Sequence, residues 1–215
     1  MMQLHFAPGN ASMTPHLVLE ELGVPFELKQ VDRENNAHKS PEYLKLNPNG
    51  LIPVLVDSDL VLYETAAIVL YLVDTFPEAG LAPPPGTTER AHFVKWLVWL
   101  AASLQSQMPF YFYTDRYLAP GNAGGIAELK AAITAKIDSL IDQLDAQLAA
   151  HGGPWLLGER FSALDPYTLM LCRWTRNAPR PARTLPQLGP YLERMLARPA
   201  TQRVFAREAL QAPLV

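Results

Sequence analysis

The sequence predicts an α/β domain at residues 1–79, a linker at 80–86 and an all-helical domain at 87–215. Before the linker, short apolar runs alternate with short helical segments, whereas the later part shows helical spacing almost throughout. The linker contains Ala82-Pro83-Pro84-Pro85-Gly86, which cannot continue a helix because proline lacks a backbone N–H. This change of pattern predicts two domains.

In the first domain, the first strand is predicted at Leu4–Ala7 and stops at Pro8-Gly9. Thr14-Pro15 and Ser40-Pro41 each predict the start of a helix, with the hydroxyl residue as N-cap and the proline in the first helical position. Gly23 follows the first of these helices, in the position where a glycine commonly ends one.

Alternating polarity predicts a second strand at 26–30, and a hairpin is predicted at 53–62 around the turn Asp57–Asp59. A last helix is predicted from Glu64 to Phe76, because apolar residues recur there at helical spacing. The order is therefore β-α-β-α-β-β-α, which describes a single sheet covered by helices.

In the second domain, Thr87 is the predicted N-cap of the first helix. A longer helix is predicted after the break at Gly121–Gly125, because apolar side chains recur on one face as far as Leu148. Ser162 and Asp165 resemble a capping box, but Pro166 is expected to remove the first helical hydrogen bond there.

Composition narrows the classes of function. The chain has 215 residues, of which 49% are hydrophobic and 18% charged, as in a globular protein. A net charge of -3 gives no electrostatic reason to expect nucleic acid. The longest apolar stretch, Trp96–Leu104, is much shorter than the ~20 residues that span a bilayer. We therefore expect a cytoplasmic protein without nucleic-acid or membrane partners.

Cysteine and histidine usage argues against a metal site. Cys172 is the only cysteine, so neither an intrachain disulfide nor a thiolate zinc cluster can form. The histidines show no spacing typical of metal ligands. No metal is expected.

Four segments resemble the cytosolic glutathione transferase family, in the same order along the chain. Pro8-Gly9 follows the first strand, and Asn47–Leu55 is similar to the family pattern N-P-x-G-x-[VI]-P-x-L. Tyr63–Ile68 is similar to its E-[ST]-x-x-I motif, and Trp155–Asp165 resembles a late block in its helical domain. The chain is most similar in these patterns to the bacterial beta-class and theta-like members.

The resemblance implies a thioredoxin-like first domain that binds glutathione and a helical domain that receives a second substrate. It also implies a homodimer, which is the commonest oligomer symmetry. The implied reaction is conjugation of the glutathione thiolate to an apolar electrophile. Two alternatives remain open: a glutathione-dependent disulfide or peroxide oxidoreductase, and a non-catalytic glutathione-binding carrier.

The same resemblance assigns residues to glutathione. In the family the bond equivalent to Ile52-Pro53 is cis, so that the N–H and C=O of Ile52 face the cysteinyl backbone of glutathione as an added strand would. The entry of the helix at Glu64 and Thr65 suits the γ-glutamyl group, because helix N-termini attract anions and a carboxylate attracts an amino group. His38 and Lys39 are implied to bind the glycine carboxylate.

The catalytic position departs from the family pattern. A free thiol has a pKa of ~8.5, so donors aimed at the sulfur are needed to favour the thiolate. The beta-class cysteine falls on Ala11 and its partner histidine on Gln105, so both hallmark residues are absent. Asn10 and Ser12 are the remaining candidate donors in the loop. The alternative is that neither acts and the loop only turns the chain.

An aromatic cluster follows the first helix of the second domain. In the family this region forms the pocket of the second substrate, and ordinary core packing is the alternative for each side chain. The residues assigned to this pocket are Gln105, Met108, Phe112, Tyr113 and Tyr117.

Overall fold

The computed structural model describes residues 1–215. Its four-stranded sheet has the order β2-β1-β3-β4, with β1 parallel to β2 and antiparallel to β3, and β3 antiparallel to β4. The strands are β1 Met2–Phe6, β2 Phe26–Gln30, β3 Val54–Asp57 and β4 Leu60–Tyr63. Helices α1 Met13–Leu22, α2 Pro41–Leu46 and α3 Thr65–Thr75 complete the predicted β-α-β-α-β-β-α order, so the fold class is confirmed.

The remaining chain is helical, as predicted. Its helices are α4 Thr88–Trp99, α5 Met108–Phe112, α6 Ala123–His151, α7 Leu164–Trp174, α8 Leu188–Leu196 and α9 Pro199–Arg207. Between α4 and α5 the chain passes through a π-helical turn and a 3-10 turn without leaving helical geometry. None of the helices has both the length and the apolar character that crossing a membrane requires.

One hydrophobic core joins the sheet to the helical part. Leu4 of β1 and Leu17 of α1 belong to the same buried cluster as Phe93 of α4 and Leu169 of α7. Helix α1 packs against α3 on one side and against α7 and α9 on the other. Because α1 lies at this junction, the loop that precedes it is placed between the sheet and the helical part.

Two helix starts differ from the prediction. Helix α1 begins at Met13, so Thr14 lies inside the first turn, and its hydroxyl donates to Met170 Sδ over 3.2 Å instead of capping the helix. Helix α6 begins at Ala123, before the glycines expected to precede it, because the Asn122 side chain accepts from the Gly125 N–H over 3.0 Å. The first difference depends on a partner from a distant helix, whereas the second is a local asparagine cap.

The start of α7 contains the predicted pairing of Ser162 with Asp165. The Asp165 carboxylate accepts the Ser162 N–H over 2.8 Å, the Leu156 N–H over 2.9 Å and the Tyr191 hydroxyl over 3.0 Å. Helix α7 begins at Leu164, one residue later than a Ser162 cap implies. Pro166 therefore lies in the first turn, where its N–H would have no helical partner, and the expected loss of a hydrogen bond does not occur.

We expect Asp165→Asn to lower the free energy of unfolding by roughly 2–4 kcal/mol, because an amide nitrogen would face donors that now reach a carboxylate oxygen. Burial raises the pKa of Asp165 from 3.8 to about 6. The unfolded chain then ionises first as pH rises, so the parent loses stability between these two values. Chemical denaturation at several pH values should show that the difference in free energy of unfolding between the parent and the variant decreases as pH rises from 3.8 to about 6. The exposed Glu159→Gln is the control, and an equal loss in both variants contradicts the prediction.

Candidate functional site

The loop between β1 and α1 is held by the helical part of the chain. The Gly9 N–H donates to Glu208 Oε2 over 2.7 Å, and Trp174 Nε1 donates to the Gly9 carbonyl over 2.9 Å. Glu208 is 2% exposed and also accepts from His16 Nδ1 over 2.7 Å. Gly9 has φ 65°, a conformation that glycine adopts at little cost. The position of this loop therefore depends on α1, α7 and the segment after α9.

Asn10 and Ser12 occupy different environments in that loop. Ser12 is fully buried, and its hydroxyl donates to the Ala7 carbonyl and accepts from the Ala7 N–H, each over 3.2 Å. Asn10 is half-buried, and its Oδ1 accepts from the Ala11 N–H over 2.8 Å. The Asn10 Nδ2 group donates to no other group of the chain. Asn10 thus has a free donor, whereas the Ser12 hydroxyl is occupied within the loop.

In the segment before β3, the backbone N–H and C=O of one residue have no partners in the chain. The Ile52-Pro53 bond is cis, as the resemblance implies. The Leu51 carbonyl accepts from the Tyr43 hydroxyl and from Asn47 Nδ2, each over 2.9 Å. The backbone N–H and C=O of Ile52 make no hydrogen bond within the chain. They are available to an extended ligand backbone.

The entry of α3 has an unusual backbone conformation. Glu64 has φ 74° and ψ 117°, which is uncommon for a residue other than glycine and is often found at functional sites. Its side chain is exposed and does not cap the helix. Thr65 begins the helix and is 3% exposed, and its hydroxyl makes no hydrogen bond within the chain. The free N–H groups of this first turn favour an anion.

His38 and Lys39 lie against the turn at Gly50. A Cβ at Gly50 would approach Lys39 Nζ to 2.7 Å and the His38 carbonyl to 2.8 Å, so only glycine fits there. The pKa of His38 is lowered by burial and then by the charges of Arg33, Lys39 and Arg116. No carboxylate contributes to this shift, so the surroundings of His38 are electropositive. Sequence reasoning missed both arginines: Arg33 lies in a short loop with no motif of its own, and Arg116 comes from a turn distant in the sequence.

The residues assigned to the second-substrate pocket differ in burial. Met108 is 1% exposed and belongs to the main core, and the half-buried Gln105 accepts from the Tyr167 hydroxyl. Phe112 and Tyr117 are each 47% exposed. The Phe112 ring lies edge-on to Trp174, with the centroids 6.3 Å apart, so it is next to the loop that contains Gly9.

Tyr113, one of the residues assigned to the pocket, contacts the two arginines of the electropositive region around His38. Arg33 donates to the Tyr113 hydroxyl over 3.3 Å, and the Arg116 guanidinium lies 4.0 Å from the centroid of the ring. The first contact crosses from the segment after β2 to the segment after α5. Tyr113 therefore lies at the boundary between the sheet and the helical part, whereas Tyr117 stacks on Phe110 with centroids 4.2 Å apart.

We expect Trp174→Phe to loosen the loop that contains Gly9, because the indole donor is lost while an aromatic ring remains. The loss of one hydrogen bond is worth about 1 kcal/mol, so the amides of residues 9–13 should exchange roughly fivefold faster with solvent deuterium. The control is Trp155→Phe, since the Trp155 indole stacks against Arg198 and donates to no group of the chain. Equal exchange in both variants would show that Trp174 does not hold the loop.

Comparison with known proteins identifies the family. Residues 2–74 match the family model described as "Glutathione S-transferase, N-terminal domain". The chain is 32% identical to glutathione S-transferase GST-4.5 of Xanthomonas campestris pv. campestris, over 97% of this chain and 100% of the relative. It is 28% identical to the disulfide-bond oxidoreductase YfcG of Escherichia coli K12, over 98% of this chain and 97% of that protein.

A solved structure shows the same similarity across the whole chain. The sphingomonad glutathione S-transferase complexed with glutathione superposes with a TM-score of 0.83 at 30% identity, covering 97% of this chain and 100% of that one. The similarity thus includes both the sheet and the helical part. The chain belongs to the glutathione S-transferase family.

Proposed function

We propose that this protein binds glutathione at the end of its sheet where β3 begins, and that it conjugates the glutathione thiolate to apolar electrophiles. Residues 1–79 would form the glutathione-binding domain, 80–86 the linker and 87–215 the domain for the second substrate. The free N–H and C=O of Ile52, next to Pro53, would pair with the cysteinyl backbone. Relatives that bind glutathione support this assignment.

The charges of the site support one orientation for bound glutathione. The γ-glutamyl carboxylate would lie at the first turn of α3, where the Thr65 hydroxyl has no other partner, and the Glu64 carboxylate would pair with the γ-glutamyl amino group. The glycine carboxylate would lie near His38 and Lys39, where Arg33 and Arg116 add positive charge. Each charged group of glutathione then meets a group of opposite charge or a helix N-terminus.

The main support for the proposed activity is the free NH2 group of the Asn10 side chain. Its oxygen is fixed by the Ala11 N–H, so Nδ2 is directed away from the loop backbone with its donors unused. A donor directed at sulfur interacts more strongly with the thiolate than with the thiol, and therefore lowers the pKa of the thiol. Asn10 can thus take the place of the cysteine that the loop lacks.

In the proposed reaction the thiol proton passes to solvent when glutathione binds. The thiolate sulfur then forms a bond to the electrophilic carbon while the leaving group departs with its bonding electrons. The half-exposed Phe112 ring beside Trp174 offers an apolar contact for the electrophile close to the loop. Tyr113, Tyr117 and Gln105 would line the more polar part of the same pocket.

A disulfide or peroxide reductase is the second candidate, favoured by the similarity to YfcG. Cys172 is buried and its pKa is raised to about 12 by that burial, so it does not supply a reactive thiolate. Glutathione would then have to provide every thiol of the reaction. A non-catalytic glutathione carrier is the third candidate, and it would not need a thiolate at all.

A homodimer is part of the proposal. Leu60 and Val61 on the edge strand β4 and Val94 and Val98 on one face of α4 are exposed apolar side chains. Edge strands and apolar patches are commonly covered by a partner. A second copy of the chain, placed about a two-fold axis, would cover them. The cytoplasm is the proposed location.

We expect the parent to conjugate chlorodinitrobenzene, and Asn10→Ala to raise the pH at which the rate reaches half of its maximum by about one pH unit, because one donor to the thiolate is lost. The pH–rate profile at saturating glutathione measures this. Ser12→Ala is the matched control, and it should lower stability but keep the parent profile, since its hydroxyl binds the Ala7 backbone.

An unchanged profile for Asn10→Ala would remove Asn10 from the chemistry. Reduction of hydroxyethyl disulfide without conjugation would favour the reductase. The absence of both activities, together with tight glutathione binding, would favour the carrier.

We also expect the double variant Val94→Lys with Val98→Lys to shift the protein from dimer to monomer, because two charges would be buried at the proposed contact. Light scattering coupled to size exclusion measures the mass. Ala150→Lys, at an exposed position on α6, is the control and should remain dimeric. A monomeric parent would contradict the proposed assembly.

A further inference from the structure

Two arginines from distant segments contact the same tyrosine at the boundary between the sheet and the helical part. Arg33 Nη2 donates to the Tyr113 hydroxyl over 3.3 Å, and the Arg116 guanidinium lies 4.0 Å from the centroid of the Tyr113 ring. Arg33 belongs to the segment after β2, whereas Arg116 follows α5. Because arginine side chains carry a permanent positive charge, the tertiary fold holds two charges of the same sign against one side chain.

Neither arginine has an anionic partner in the chain. The salt bridges of the protein all involve other cations. Asp32, which precedes Arg33, has both carboxylate oxygens engaged by Asn35. The Arg116 guanidinium makes no hydrogen bond within the chain, and that of Arg33 makes only the one to Tyr113. Most N–H donors of the two groups are therefore unused, and the two like charges favour an anion beside them.

The glycine carboxylate of glutathione does not account for both of these charges. In the proposed complex that carboxylate lies beside His38 and Lys39. Lys39 Nζ lies against the turn at Gly50 and donates to the Asn49 carbonyl over 3.2 Å, which leaves it further donors for a ligand. A carboxylate carries one negative charge, which the Lys39 ammonium alone can balance. Arg33 and Arg116 then remain as an excess of positive charge at this end of the site.

The two arginines lie next to the proposed contact for the electrophile. The ring centroids of Tyr113 and Phe112 are 6.5 Å apart, and those of Phe112 and Trp174 are 6.3 Å apart. Trp174 in turn donates to the Gly9 carbonyl over 2.9 Å. A continuous series of contacts thus connects the arginines with the loop proposed to bind the thiol. An electrophile whose apolar body lies against Phe112 can place a charged end against the guanidinium groups.

We propose that the electrophile conjugated by this protein carries a carboxylate, which Arg33 and Arg116 bind while Phe112 contacts its apolar body. This inference rests on the proposed function and narrows its substrate class. A guanidinium presents two parallel N–H donors that match the two oxygens of a carboxylate. Tyr113 is a positioning residue, because its hydroxyl holds Arg33 and its ring holds Arg116. The thiolate sulfur forms a bond to the electrophilic carbon, the leaving group departs with its bonding electrons, and the carboxylate is unchanged.

The test compares two aryl chlorides that differ in charge: chlorodinitrobenzoate, with its chlorine para to the carboxylate, and its methyl ester. The thiolate displaces chloride from the same carbon in both. Their intrinsic reactivities differ, so each kcat/KM, measured at saturating glutathione, is divided by the rate constant of the uncatalysed reaction with glutathione. We expect the parent to favour the carboxylate roughly tenfold by this measure, and high salt to reduce the preference because it screens exposed charges.

Arg33→Gln and Arg116→Gln should each lower that preference by about threefold, because each removes one charge from an exposed contact. The double variant should abolish the preference. Tyr113→Phe keeps the ring and removes the acceptor of Arg33, so we expect a smaller fall, seen in the KM of the carboxylate and not in that of the ester. Arg160→Gln is the matched control: it removes the same charge from an exposed arginine beside the linker at Pro83, and it should keep the parent's preference.

Lys39→Gln distinguishes the two anionic ends of the complex, because it should raise the KM for glutathione and keep the preference between the aryl chlorides. If both arginine variants behave as Lys39→Gln does, the arginines serve the glycine carboxylate, and this inference is wrong while the proposed function stands. A parent that conjugates the ester without preferring the carboxylate has the same meaning. If only one arginine affects the preference, the paired site is wrong. If the parent conjugates neither compound, the proposed function fails and this inference with it.

Discussion

The hydrogen bonds that the helical part makes to the backbone of Gly9 are the constraint on which the site depends. Glu208 binds the Gly9 N–H, and Trp174 binds its carbonyl. Both bonds link residues far apart in the sequence, and Glu208 also accepts from the fully buried His16 of α1. Leaving one buried partner of such a hydrogen bond unpaired typically costs about 1–3 kcal/mol. The loop that contains Asn10 is therefore held by the helical part of the chain as well as by its own hydrogen bonds between Ser12 and Ala7.

Because the loop depends on the helical part, the packing of the core also positions the side chains proposed to act on the thiol. The shared core places α7 and α9 against α1, and the same packing brings Glu208 and Trp174 to the backbone of Gly9. The Phe112 ring contacts the indole that holds Gly9, so Trp174 links the proposed electrophile pocket with the loop proposed to bind the thiol. A site assembled in this way has its donors oriented before the ligand arrives, which lowers the cost of stabilising a thiolate.

Much of the fold, and the family, could be predicted from the sequence. The fold class and family followed from local signals: the strand that ends at Pro8-Gly9, the capped helix at Ser40-Pro41, and the motifs around Pro53 and Thr65. These signals are short in sequence and depend on backbone chemistry, so they survive without knowledge of the tertiary fold. The assignments of individual residues to glutathione and the electrophile remain predictions.

What could not be predicted depends on hydrogen bonds that form only in the folded chain, some of them between distant segments and some within one loop. Thr14 reads as a helix cap, but Met170 supplies a partner for its hydroxyl. Ser12 and Asn10 are equal as donors by residue type, and only the hydrogen bonds of the loop distinguish them.

The most direct test of this account is a crystal structure of the protein with reduced glutathione bound, and in particular the distance from the glutathione sulfur to Asn10 Nδ2. We expect the sulfur within hydrogen-bonding distance of that nitrogen, with the Ser12 hydroxyl still bound to Ala7 as it is in the free chain. A complex in which the sulfur binds the Ser12 hydroxyl, or lies away from the loop altogether, would contradict the account.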